Sequence, residues 1–203
     1  LIGLAPGTAE ARKLPVGDEC TGDQSFAAFR SQLRSAIAAK DSKRLLALTA
    51  DDIEWSFGGD TGKKSFARNW ALGRPASSPL WKELSEALRL GCANTDGYFA
   101  SPYLFARFPE HLDGFSHVVA IAPGAAAHAA PAAQSRKLAA LDGDILKLQG
   151  EDPCESGPWC AVVLPNGRKA WVRSHQVRSP LGYRAIFQKR KGRWSMTAFI
   201  AGD

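Results

Sequence analysis

Trp159 and Trp171 are the residues of this sequence best suited to hold a ligand. Each is a flat aromatic side chain set in a short apolar run, and aromatic walls of this kind receive extended peptides or sugar chains. A competing reading, preferred on sequence alone, places both in a core. A tryptophan in a small β-structure usually fills space and satisfies its indole N–H locally. His128 and Tyr183 are further candidate contacts for a groove, and Tyr103 is a weaker one that nothing in the sequence places beside the tryptophans.

Four cysteines offer a different chemistry. Cys154 and Cys160 bracket Glu-Ser-Gly-Pro-Trp, a loop of turn formers that could bring two thiols together. Cys20 and Cys92 would then pair by elimination, although four cysteines allow three connectivities. A zinc site fits less well, because no C-x-x-C occurs and no histidine stands at finger spacing from the cysteines. Disulfides imply an oxidising compartment, the periplasm or the exterior.

Other constellations carry less. Gly58-Gly59-Asp60-Thr61-Gly62-Lys63-Lys64-Ser65 has the look of a phosphate loop. That motif needs four residues between its first glycine and the Gly-Lys pair, and here two separate Gly59 from Gly62. A strand-to-helix turn is expected instead. His111, His117, His128 and His175 lack a convergent third ligand, so no metal is expected. The carboxylate pairs Asp51-Asp52 and Glu151-Asp152 read as caps and turns. No G-x-S-x-G nucleophile motif is present. Neither a catalytic residue nor a cofactor is assigned, and the chain reads as a non-enzyme.

The elements that would position these residues change in character along the chain. Phe26, Phe29, Leu33, Ala36 and Ile37 recur at helical spacing behind Asp23 or Ser25 as a cap. A shorter helix through Leu45, Leu46 and Leu48, a strand over 52–57, a helix carrying Phe66 and Trp70, and another from Leu80 to Leu90 follow. From Phe115 onward short β-like runs alternate with turns, and Pro165-Asn166-Gly167 is a hairpin turn. The chain closes with a strand over 183–188, a basic turn at Gly192 and a strand over 194–200.

Composition bounds the rest. The 203 residues are 45% hydrophobic and 23% charged, ordinary for a globular chain. No apolar run reaches the length of a membrane helix, about 18 residues. The net charge of +6 is spread along the chain apart from Lys189-Arg190-Lys191 and Arg193. A nucleic-acid partner is not expected, since neither a basic stripe nor a motif stands out. The small, apolar stretch Leu1–Ala11 ends in Ala9-Glu10-Ala11, the form of a signal-peptidase site. It reads as an export-signal remnant or a flexible N-terminus.

The central segment resembles the bacterial SH3-like domain of exported and cell-wall proteins. The matching pieces are Leu141-Asp142-Gly143-Asp144-Ile145, Trp159-Cys160-Ala161-Val162 and Asn166-Gly167-Arg168-Lys169-Ala170-Trp171-Val172. Where that family opens with a Val-Arg strand, this chain has Ala126-Ala127-His128-Ala129-Ala130-Pro131, and Ala170 replaces a glycine. The helix pair 26–48 and the final Gly192-Arg193-Trp194-Ser195-Met196-Thr197-Ala198-Phe199 are similar to the ends of nuclear-transport-factor-2-like domains. The chain as a whole resembles uncharacterised proteobacterial envelope proteins with an SH3-like segment.

The expected fold class is α+β. Residues 1–20 are a leader or disordered N-terminus, 21–114 a helix-rich domain and 115–178 an SH3-like barrel. Residues 179–203 form a C-terminal β-hairpin that could return to the first domain. The resemblance implies a periplasmic or secreted binding protein, with a peptide, a peptidoglycan fragment or an envelope protein as partner. The alternative is a small-molecule binder or enzyme using a cone-like pocket outside the barrel.

Overall fold

The computed structural model describes residues 13–150, 154 and 157–202. The stretch Leu1–Ala11 and the pair Glu151-Asp152 therefore lie outside the described residues. In chain order come helices α1 (Gln24–Ala38) and α2 (Ser42–Ala47), strand β1 (Thr49–Glu54), and helices α3 (Lys63–Asn69) and α4 (Leu80–Arg89). Strands β2 (Ala93–Thr95) and β3 (Tyr98–Ser101) and helix α5 (Tyr103–Arg107) complete the first half. Then follow β4 (His117–Ala120), β5 (Ala126–His128), β6 (Lys137–Ala140), β7 (Ile145–Leu148), β8 (Trp159–Val163), β9 (Lys169–Arg173) and β10 (Val177–Arg178). A last hairpin pairs β11 (Arg184–Arg190) with β12 (Arg193–Ile200). The fold is mixed, with helices and two sheets.

The chain divides into two compact units, each interrupted in sequence by the other. Val16–Phe108 and Leu181–Asp203 form the outer unit; Leu1–Pro15 and Pro109–Pro180 form the inner one.

The outer unit holds the helices and a five-stranded sheet in the order β1-β12-β11-β3-β2. β1 runs parallel to β12 and the remaining pairs are antiparallel. Asp23 caps α1 by accepting from the Phe26 N–H at 2.9 Å. The helix buries Phe26, Phe29, Leu33, Ala36 and Ile37, the positions its spacing predicts. Phe26 meets Phe99 and Trp194 edge-on, and Trp70, Tyr183 and Phe199 form a second aromatic group. Residues 13–20 make contacts of their own. Asp18 pairs with the buried Arg30 at 2.7 Å, and Cys20 is buried in a disulfide with Cys92.

The inner unit is a seven-stranded sheet in the order β10-β4-β7-β8-β9-β5-β6, antiparallel throughout. Its core is aliphatic: Val118, Leu146, Cys160, Val162, Ala170 and Val172 are buried together with Ala125 and Ala127. The alternation of β8 and β9 places every second residue in that core, as the two-residue period of a strand requires. Gly167 takes φ +79 in the β8–β9 turn, a conformation glycine adopts without strain.

Candidate functional site

The same alternation decides where the tryptophans go. In β9, Ala170 and Val172 enter the core, so Lys169, Trp171 and Arg173 face the other way. In β8, Cys160 and Val162 enter the core, so Trp159, Ala161 and Val163 share the opposite face. Trp159 stands opposite Arg173 and Ala161 opposite Trp171 in the ladder. His128 on β5 stands opposite Trp171 from the other side. Both tryptophans are half-buried and neither belongs to the core. The core-filling expectation is thereby corrected: small residues fill the interior and the indoles lie outside it.

Three of these side chains touch. The Arg173 guanidinium lies 4.3 Å from the Trp159 ring, a cation–π contact. The His128 ring meets the same indole at 5.2 Å and 73°. His128 Nδ1 is 3.1 Å from the Ser135 carbonyl oxygen, which can only accept. Nδ1 therefore carries a hydrogen, and Nε2 of the neutral ring is an acceptor. The start of β8 is tied down by Ser174, whose hydroxyl donates to Gly157 O at 2.7 Å and whose N–H donates to Pro158 O. The Cys154–Cys160 disulfide anchors the preceding loop to the core. The result is a Trp159 indole with a guanidinium over its ring and an imidazole meeting it edge-on, and Trp171 on the neighbouring strand.

The other residues singled out by sequence go elsewhere. Tyr183 stacks on Phe199 and meets Trp70 edge-on, packed against the core of the outer unit. Tyr103 also belongs to the outer unit, where its ring lies against Gly17. Both cysteine pairs are disulfide-bonded, Cys20 with Cys92 and Cys154 with Cys160. They are compatible with an extracytoplasmic protein. Asp18, Cys20 and Cys92 approach one another as three potential metal ligands, but both sulfurs are spent in the disulfide and Asp18 is held by Arg30. The Gly58–Ser65 segment is a turn into the seven-residue α3. Ser65 there donates to the carbonyls of Thr61 and Gly62 and accepts from Trp55 Nε1, while Lys63 pairs with Asp51.

A cleft of about 720 Å³ opens on the outer unit between α1, β1 and the β11–β12 turn. Two ion pairs line it, Lys63 with Asp51 and Arg190 with Asp52, each at 2.7 Å, together with Arg193. The Arg190 hydrogen bond holds the Asp52 carboxyl below its ordinary range. Among the described residues, this unit buries neither a histidine nor a carboxylate.

What sequence reasoning missed is the company the tryptophans keep. Arg173, Lys169, Lys147 and Lys137 all project from strands of the inner sheet on the side away from its core. No helix among the described residues is long and apolar enough to cross a membrane. No protein-family model matches the chain, and no curated protein matches it at a significant level.

Proposed function

We propose that the chain is a non-catalytic extracytoplasmic binding protein, periplasmic or secreted. Its inner unit is an SH3-like barrel that takes a peptide or cell-wall component on the face bearing Trp159, Trp171 and His128. The observation that carries this reading is the outward placement of two indoles from a sheet whose interior is already filled by small aliphatic residues. A half-buried tryptophan on a rigid element supplies large contact area with little loss of side-chain freedom. The two disulfides support the compartment.

Retention on purified peptidoglycan sacculi tests it. Trp159→Ala and Trp171→Ala are expected to lower retention about tenfold each, the effect of losing roughly 1–3 kcal/mol of aromatic contact. Both variants should keep the wild-type circular dichroism, because neither indole is in the core. Wild-type protein that washes through at low salt, or variants retained as well as wild type, would contradict the proposal.

A second reading rests on the outer unit. Trp70 Nε1 and Ser101 Oγ are buried polar atoms with no hydrogen-bond partner among the described residues. Trp70 ends α3 and Ser101 ends β3, both in the outer unit, and a small polar ligand bound within that unit would satisfy them. A small-molecule binder would use that interior rather than the tryptophan face.

A further inference from the structure

The strands of the inner sheet separate charge in a way the chain's composition hides. Pro109–Pro180 carries seven acidic and seven basic residues, so this segment is close to neutral. Yet the seven strands β4 to β10 contain no aspartate or glutamate, while they carry Lys137, Lys147, Lys169, Arg173 and Arg178. The register aligns four of these cations with the tryptophans. Lys137 stands opposite His128, which stands opposite Trp171. Arg173 stands opposite Trp159, and Lys169 opposite Val163, which stands opposite Lys147. Along β9 alone, Lys169, Trp171 and Arg173 share one face over roughly 13 Å, four residues of strand rise.

Among the described residues, these cations are not neutralised from within. None of Lys137, Lys147, Lys169 and Arg173 has an ion-pair partner among the described residues, whereas in the outer unit Arg30, Lys63, Arg107 and Arg190 each have one. β8 and β9 pair along their whole length, and they are flanked by β7, which meets β8 at Val162 and Val163, and by β5, which meets β9 at Trp171. A peptide adding itself as a strand beside the tryptophans, the mode that gives extended peptides sequence-independent affinity, would have to displace β5 or β7. Only side chains face the ligand there. Indole faces suit the C–H faces of sugar rings, and flanking ammonium and guanidinium groups suit carboxylates spaced along a chain.

We infer that the ligand of this face is an anionic glycan, a sugar chain bearing carboxylate groups, lying across β7, β8, β9 and β5. The inference rests on the proposed binding face and narrows its ligand. The two disulfides favour an oxidising compartment and so a glycan over a nucleic acid, which would offer similar stacking and charge.

Binding of the whole chain to an oligouronate is the test, measured beside a neutral cello-oligosaccharide, poly-glutamate and oligo-dT. The oligouronate is expected to bind at least about tenfold more tightly than the other three. Its affinity should fall about tenfold or more between 50 and 200 mM salt, as screened cation contacts require. The exposed double substitution Lys147→Ala/Lys169→Ala should weaken it several-fold without altering the thermal melt. Poly-glutamate or oligo-dT binding as tightly would overturn the inference, and so would binding insensitive to salt or to the lysine substitutions. Retention on sacculi with no oligouronate binding would overturn it and leave the proposed function standing. Loss of both would remove both.

Discussion

At the scale of single residues, what matters on the inner sheet is which side of a strand a residue occupies. Trp171 sits between Ala170 and Val172, and those two small neighbours take the core. The pattern Lys-Ala-Trp-Val-Arg already contained this answer, since lysine and arginine share the period-two face with the tryptophan. Judging the indole by its size alone points inward and misleads. In the outer unit, Arg107 donates to both Glu19 carboxylate oxygens and to Asn94 O, while the Asn94 N–H donates to Glu19. Its hydrogen bonds hold the Glu19 carboxyl below the ordinary range. A depressed carboxyl pKa contributes stability that is present above the unfolded value, about 4.3, and is lost as pH falls through the folded value. Arg107→Ala should therefore cost up to about 1 kcal/mol at pH 7, the scale of a surface pair. The gap from wild type in thermal melts should shrink steadily below about pH 4. A gap that does not change with pH would contradict this account of Glu19.

At the scale of elements, legibility followed the strength of the local signal. α1 was readable because five apolar residues repeat on one helical face behind a capping aspartate. The β8–β9 hairpin was readable from its Asn-Gly turn. β5 was not, because Ala126-Ala127-His128 has no β-branched or aromatic side chain to announce a strand. Its alanines instead serve the core by being small, with Ala125 and Ala127 buried. The β2–β3 hairpin turns at Asp96-Gly97, where Gly97 takes φ +93, but its strands of three and four residues are too short to carry an alternating pattern. The two disulfides act at this scale too. Cys20–Cys92 spans 72 residues and Cys154–Cys160 only 6. Closing those loops is worth about 4 and about 2 kcal/mol respectively in the chain-entropy account. Cys20→Ser/Cys92→Ser should accordingly lower the melting temperature more than Cys154→Ser/Cys160→Ser. The reverse order would show that the short bridge holds more than its loop.

At the scale of the whole molecule, one unit is threaded through the sequence of another, and the closing hairpin β11–β12 completes the sheet that β1 began. Sequence patterns locate such a hairpin readily, but the parallel pairing of β1 with β12 joins segments over a hundred residues apart and leaves no local trace. The net charge of +6 likewise reads as a diffuse surface until folding sorts it. Strand pairing then gathers Lys137, Lys147, Lys169 and Arg173 on the tryptophan face, while in the outer unit Arg30, Lys63, Arg107 and Arg190 are among the cations held in ion pairs. The basic stripe absent from the linear sequence exists across strands. Its ligand-binding role is the central claim.

The six tryptophans provide the most direct test of it. Trp159 and Trp171 lie on the inner unit, whereas Trp55, Trp70, Trp81 and Trp194 belong to the outer one. Their indole N–H resonances can be followed individually by NMR while solubilised peptidoglycan fragments are added. The resonances of Trp159 and Trp171 should shift progressively and saturably, and the other four should hold their positions. Shifts confined to the outer-unit indoles, or none at a concentration that retains the protein on sacculi, would contradict the claim.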